Sequence, residues 1–243
     1  AGHRILIDRW DGHSGHDEGL SRRMLSEADV IFCEWALGNV DWYSHNKLPG
    51  QRLITRFHAQ ELRTKFLHKA NIDNIDTFIF VSPTGMRRAQ VLSGIPKDKS
   101  VVVGNTFNLE DFARYRPQIN PKNLGLVGSV PESKRLDLAL DILQGLRTQD
   151  SGFTLEVLGK EYTEYPWLLT RAREAAYFEA QYQRIGESPQ LKGSVTFTGH
   201  TDEIAKWYLS NPGFILSTSD NEGTHQAIAE GAAAGCVPII FPW

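Results

Sequence analysis

Two glutamates eight residues apart, Glu222 and Glu230, bracket the most chemically suggestive segment of this 243-residue chain. Around them runs Phe214-Ile-Leu-Ser-Thr-Ser-Asp-Asn-Glu-Gly-Thr-His-Gln-Ala-Ile-Ala-Glu-Gly-Ala-Ala-Ala-Gly-Cys-Val-Pro-Ile-Ile240. It reads as a buried strand, a polar loop, a helix and a second buried strand. Gly223 in the loop permits a ligand to approach the backbone closely. The helix start near Thr224 and His225 offers N–H groups without intrahelical partners, which can bind a phosphate. Glu222 precedes the helix and Glu230 lies about two turns further on, so they can reach different parts of one elongated ligand. A carboxylate that accepts two vicinal hydroxyls is what ribose recognition requires. Ala227, Ala232, Ala233 and Gly235 keep the helix slim against a sheet.

The elements that must position these residues follow from ten short apolar runs. They are Arg4–Asp8, Asp29–Cys33, Arg52–Thr55, Thr77–Val81, Ser100–Val103, Asn123–Val127, Phe153–Leu158, Val195–Phe197, Gly213–Leu216 and Val237–Phe241. Several are nearly continuous Val, Ile, Leu and Phe, the signature of parallel strands covered on both faces. Helical patterns lie between them. Leu136, Leu138, Ala139, Ile142, Leu143 and Leu146 share mostly one helical face, and Arg171–Gln183 is rich in helix formers. Alternating strand and helix predicts an α/β fold with right-handed crossovers. The stretch from Asn105 to Pro121 has no clean period and ends in two prolines. It divides the chain into an N-terminal Rossmann-like domain, 1–112, and a C-terminal one, 113–243. Two such halves leave a cleft, with ligands at the C-terminal ends of the strands. The start at Ala1 and the stop just after a buried strand suggest truncation at both ends.

Composition narrows the function classes. The hydrophobic fraction of 41% and charged fraction of 23% are those of a globular protein, not a disordered one. A net charge of −3 lacks the basic footprint of a nucleic-acid binder. Cys33 and Cys236 are too few for a disulfide framework and read as buried, reduced thiols of a cytoplasmic protein. No apolar run nears the ~20 residues that cross a bilayer, and no signal peptide is visible. Peripheral contact with the inner face of a membrane stays open. The cluster Asp8, Asp11, His13 and His16 has metal-ligand types, yet reads more simply as a polar acceptor-side loop; Glu34 and Trp35, which end a strand, could face the same side. No Gly-x-Gly-x-x-Gly follows any strand, which argues against a dinucleotide-dependent dehydrogenase.

The segment Glu222-Gly223 … Glu230-Gly-Ala-Ala-Ala-Gly-Cys-Val-Pro238 resembles the donor-binding motif of the retaining glycosyltransferases of family 4, whose fold is GT-B. There the first Glu contacts the transferred sugar and the second holds the ribose. The resemblance assigns those roles to Glu222 and Glu230, with Gly223 and Thr224 at the phosphates. Leu126-Val-Gly-Ser-Val-Pro-Glu-Ser-Lys-Arg-Leu-Asp137 is similar to the family's glycine turn and basic phosphate site. Gly128 matches the glycine and Lys134 the lysine. Ser129 stands where an arginine is expected, and Arg135 could compensate. Gly199 and His200, after Val195-Thr-Phe-Thr, match the turn near the base. Arg52-Leu-Ile-Thr-Arg-Phe-His58 resembles the strand whose His faces the donor sugar. The likeness covers about residues 50–243, most closely after 120, and residues 1–50 depart from the pattern.

The resemblance implies transfer of a sugar from a nucleoside diphosphate sugar to an acceptor hydroxyl, with retention at the anomeric carbon. His58, Lys134 and Glu222 are the expected catalytic residues. Gly128, Ser129, Lys134, Arg135, Gly199, His200, Gly223, Thr224 and Glu230 are the expected donor-binding residues. No metal and no bound cofactor are expected, since Lys or Arg can neutralise a leaving diphosphate. The acceptor would be a saccharide or lipid-linked, in polysaccharide, lipopolysaccharide or glycolipid synthesis. Two alternatives stand beside this: a GT-B epimerase or phosphorylase, and a non-catalytic nucleotide-sugar-binding module.

Overall fold

The computed structural model describes residues 2–107, 109–113, 120–210 and 212–242. The chain forms two compact units, Ala1–Asn105 and Thr106–Trp243. The division falls ahead of the expected 112/113 boundary for a packing reason. Phe112 is buried among Leu158, Trp207 and Tyr208, its ring 5.8 Å from that of Tyr208, so this stretch belongs to the second unit's core.

The first unit contains α1 (Glu18–Glu27), β1 (Val30–Cys33), α2 (Gly38–Asn46), β2 (Arg52–Phe57), α3 (Phe66–Lys69), β3 (Thr77–Phe80), α4 (Pro83–Ser93) and β4 (Ser100–Val102). Its strands are parallel in the order β1-β2-β3-β4. Local chemistry sets the helix ends. Ser82 caps α4 by accepting the Gly85 N–H, Pro83 opens the first turn, and Gly94 closes it in the left-handed conformation. Leu53, Phe57, Ile75, Phe78 and Phe80 form the centre of the core.

The second unit contains β5 (Asn120–Val127), α5 (Leu136–Gln149), β6 (Thr154–Leu158), α6 (Pro166–Leu169), α7 (Ala172–Glu187), β7 (Val195–Gly199), α8 (Ile204–Ser210), β8 (Pro212–Ser217), α9 (Gln226–Ala233) and β9 (Val237–Ile240). Its parallel strands lie in the order β7-β6-β5-β8-β9. The sequence runs outward from β5 one way, then returns to its other side at β8. The reversal between β5 and β8 is the switch point of a doubly wound sheet, the place where ligands of such sheets bind. Of the helical face expected from Leu136 to Leu146, Leu136, Ala139 and Leu143 are fully buried, joined by Leu140, while Leu138, Ile142 and Leu146 are half-buried. Each buried leucine contributes roughly 1.5–3 kcal/mol by leaving water.

Every expected apolar run forms a strand except Arg4–Asp8, which is irregular. Ile5 and Ile7 are 80% and 68% exposed. The segment lines a cavity of about 1080 Å³ against α1 and β1 instead of pairing. A short apolar run carries no partner information of its own. Here Arg4 is paired with Glu27 of α1 and Asp8 is held by side chains, so the backbone ladder never forms.

Candidate active site

Three glycines prepare the C-terminal ends of the second sheet. Gly128, Gly159 and Gly199 follow or end β5, β6 and β7, all with positive φ (74°, 125° and 75°). That region is strained for residues with a Cβ. Their backbones join: the Gly128 N–H donates to Leu158 O at 2.8 Å, and the Gly159 N–H to Gly199 O at 2.9 Å. The strand ends thus present bare main chain, as a site for close approach by a planar or charged ligand requires. Gly128 and Gly199 stand where the sequence predicted.

The two loops of the switch point are tied to each other. The Asp220 N–H donates to Ser133 O at 2.9 Å, and the Thr218 hydroxyl to Lys134 O at 2.8 Å. This brings Lys134 to Glu222, 88 residues away in sequence, with Nζ–Oε1 at 2.5 Å. Both side chains are largely covered, 27% and 14% exposed, so the pair is only weakly screened. Arg135 is committed differently. It adopts φ 56°, ψ 58° as the cap of α5 and forks to Asp137 and Asp220, each at 2.8 Å. Those hydrogen bonds, Asp137 first and then Asp220, push its pKa further up. Burial alone would raise the Asp137 carboxyl, but Arg135 and the Tyr177 hydroxyl hold it below its usual value. Arg135 is thus occupied in bracing the loop, and Lys134 is the cation turned to the other side.

Ser129, an expected phosphate contact, is 3% exposed and brings a short neutral hydroxyl where an arginine is expected. Gly223 and Thr224 precede the helix rather than forming its first turn, since α9 begins at Gln226 with His225 as its N-cap residue. His200 is on the surface beside Asp202, at 3.5 Å.

Glu230 projects from α9 into the interior and is 6% exposed. Gln226 Nε2 donates to its Oε1 at 2.7 Å. Burial raises its pKa, and the hydrogen bonds from Gln226 and Tyr208 oppose the rise only in part. A carboxylate in this state stabilises any ligand that brings hydroxyl donors to it. His225 was legible in the sequence only as part of a helix start. Its ring is in fact buried, with Nδ1 2.6 Å from Ser217 Oγ and Nε2 4.0 Å from Glu222 Oε1.

His58 is in the first unit, with a setting of its own. Its ring stacks on Trp35, centroids 4.0 Å apart. Its N–H donates to both carboxylate oxygens of Glu61, at 3.0 and 3.1 Å. Glu61 is fully buried and also accepts the Ala36 N–H at 3.3 Å. Arg56 donates to Glu34 at 3.0 Å and to Asn105. Glu34 and Trp35, read as strand-end residues, sit in this cluster beside His58. Glu61, Arg56 and Asn105 escaped the sequence reading, because polar residues in loops and on strand faces usually signal only solvent. Asp8 and His16, candidates for a metal cluster, are used elsewhere. Asp8 accepts from Trp10, Ser21 and Tyr43, and His16 stacks on Trp10 and bonds Ser21. Among the described residues no group of three or more potential ligands could hold a metal ion, and no helix is long and apolar enough to cross a membrane.

Comparison places this fold among known ones. No family model and no curated protein sequence matches the chain. Solved structures do. A variant of S. aureus TarM, in complex with fondaparinux, alpha-GlcNAc-glycerol and UDP, is similar with a TM-score of 0.65 at 13% identity, over 94% of this chain and 45% of TarM. Anabaena HepE with UDP and glucose gives 0.68 at 16%, over 91% of this chain and 62% of HepE. The pneumococcal O-GlcNAc transferase GtfA with UDP and GlcNAc gives 0.59 at 16%, over 92% of this chain and 45% of GtfA. The chain therefore spans 45–62% of the length of these proteins. At such identities the likeness defines the fold: two Rossmann-like α/β units of the GT-B class.

Proposed function

We propose that this chain is the donor-handling part of a glycosyltransferase. It takes a sugar from a nucleoside diphosphate sugar and transfers it, with retention, to an acceptor hydroxyl on a saccharide or lipid-linked molecule. Polysaccharide, lipopolysaccharide or glycolipid synthesis at the cytoplasmic side is the setting that fits. The observation that carries the reading is the Lys134–Glu222 pair at the switch point, in the same unit as the buried, donor-seeking Glu230. In the reaction a bond forms between the acceptor oxygen and the anomeric carbon. The bond from that carbon to the diphosphate oxygen breaks, and its electron pair leaves with the diphosphate. The acceptor proton passes to the departing phosphate oxygen. Lys134 turns from Glu222 to the diphosphate and stabilises its growing charge. Glu222, released, accepts from the sugar hydroxyls and orients the ring. Glu230 accepts from the ribose hydroxyls. Gly128, Gly199, Gly223 and Thr224 give backbone contacts, and the family resemblance assigns His58 a catalytic role. No step in this scheme calls on a metal.

A non-catalytic nucleotide-sugar-binding module is the second reading, favoured by the loss of a cation at Ser129. A thermal-shift panel of UDP, GDP, ADP, CDP, dTDP and NAD tests both, with Glu230→Ala as control. UDP heads the panel because it accompanies all three fold relatives named above. At a hundred times its dissociation constant a ligand stabilises by about 2.7 kcal/mol. One nucleoside diphosphate is expected to shift the wild type and not the variant. A panel without any shift removes the donor site; a shift without sugar transfer to any acceptor leaves the binding module; sugar change without acceptor marks an epimerase.

A further inference from the structure

The proposed site is one cation short. With Ser129 covered and Arg135 engaged by Asp137 and Asp220, Lys134 is left to face a diphosphate carrying more than one negative charge. An unused polar atom stands beside it. The His225 side chain is 7% exposed, and its Nε2 is buried without a hydrogen-bond partner, 4.0 Å from Glu222 Oε1. An orphaned buried nitrogen is costly unless something comes to meet it. The ring cannot easily turn away, because Ser217, itself fully buried, holds Nδ1 at 2.6 Å.

We infer that the His225 side chain is a direct phosphate ligand of the bound nucleoside diphosphate, supplying from the N-cap of α9 a contact in place of the arginine that Ser129 replaces. The inference rests on the nucleotide-sugar reading above. Ser217 donates its hydroxyl proton to Nδ1, which leaves the remaining ring proton on Nε2, pointed at the Lys134–Glu222 pair. When the diphosphate draws Lys134 from Glu222, Nε2–H donates to a phosphate oxygen. No covalent step is involved, only an exchange of hydrogen-bond partners.

The charge environment adds a consequence. Two charged groups face the ring: Glu222 on its own loop and Lys134 on the loop after β5, while β8 presents only the neutral Ser217. Burial lowers the imidazole pKa; Glu222 opposes this, and Lys134 adds to it. The free protein thus holds the ring neutral near pH 7. A bound phosphate brings negative charge to Nε2 and raises the pKa. The complex then takes up a proton on Nδ1, the Ser217 hydroxyl turning to accept it, so affinity rises as pH falls through the bound-state pKa.

The test is isothermal titration of the nucleoside diphosphate that scores in the panel, and of its parent nucleoside, at pH 6 and pH 8. It uses wild type, His225→Ala and His225→Gln, each checked for an unchanged melting profile. For His225→Ala, diphosphate affinity should fall about tenfold, the scale of one hydrogen bond to a charged group, with nucleoside affinity unchanged. His225→Gln keeps an N–H donor but cannot titrate. It should stay within a few-fold of wild type at pH 8 and miss the wild-type gain at pH 6. The diphosphate's own titration is common to all three proteins and cancels in the comparison. If both variants bind like wild type at both pH values, His225 is a packing residue and the inference is overturned. Equal loss for nucleoside and diphosphate overturns it as well, since that marks a collapsed site. A wild type that binds none of the nucleotides removes the donor reading itself, which is a separate result.

Discussion

Each unit buries one glutamate near the ends of its strands, and the two are buried differently. Glu61 in the first unit is fully covered and accepts backbone N–H groups from His58 and Ala36. Glu230 in the second is nearly as covered, yet its hydrogen bonds come from side chains, those of Gln226 and Tyr208. The first carboxylate is satisfied by its own fold and serves as a brace beneath His58. The second is buried where its ionised form is disfavoured, and hydroxyl donors brought by a ligand would stabilise that form. Topology separates the units in the same way. The first sheet runs β1-β2-β3-β4 without reversal, whereas the second reverses at β5 and β8. The loops that leave the sheet where the order reverses carry Lys134, Glu222 and His225.

The largest expected effect breaks the comparison at its charged end. Lys134→Ala should lower turnover by about 10²–10³-fold, the loss of one preorganised donor to a leaving group, or roughly 2.7–4 kcal/mol. Release of nucleoside diphosphate under single-turnover conditions measures it. Melting should change little, because the side chain is 27% exposed and paired only at its tip. Near-normal turnover would shift the phosphate role to Arg135. The next effect belongs to the first unit. Glu61→Ala leaves buried backbone N–H groups without an acceptor, at about 1–3 kcal/mol for such a loss. Denaturant unfolding should report that cost while nucleotide affinity is kept. A variant as stable as wild type would mean that water replaces the carboxylate, and Glu61 would no longer count as a brace.

The sequence made the second unit far more readable than the first. Its strands are continuous apolar runs with glycines at their ends, and both signals are local. The Glu222–Glu230 spacing pointed to a candidate site because a strand, loop and helix surround it. Pairings across long separations were not legible. Lys134 and Glu222 are 88 residues apart, and Tyr177 meets Asp137 across 40. His225 was missed as a side chain because a helix start draws attention to its backbone. Arg4–Asp8 misled because an apolar run says nothing of its neighbours. Glu61 was missed because its burial depends on Ala36, which arrives from 25 residues away, although its bond to the His58 N–H is local. For the long-range pairs the missing information was tertiary.

The smallest effect sharpens the contrast between the glutamates through pH. A carboxyl whose folded pKa is raised above the ordinary 4.5 keeps its proton longer in the folded chain than in the unfolded one. Between those two values the folded state binds more protons, so stability falls as pH rises through that window and stays lower above it. Glu230→Gln cannot ionise and escapes this loss. Relative to wild type, the variant should therefore gain stability between pH 4 and pH 7, by a few degrees in Tm at most. Tyr208 and Gln226 remain in place, so the comparison isolates the charge. The same variant should bind the nucleoside diphosphate more weakly, since an amide oxygen accepts two hydroxyls less well than a carboxylate does. Stability gained and affinity lost in one substitution is the mark of a residue buried for a ligand. A Glu230→Gln protein whose stability profile tracks wild type across that range would put Glu230 in the same class as Glu61.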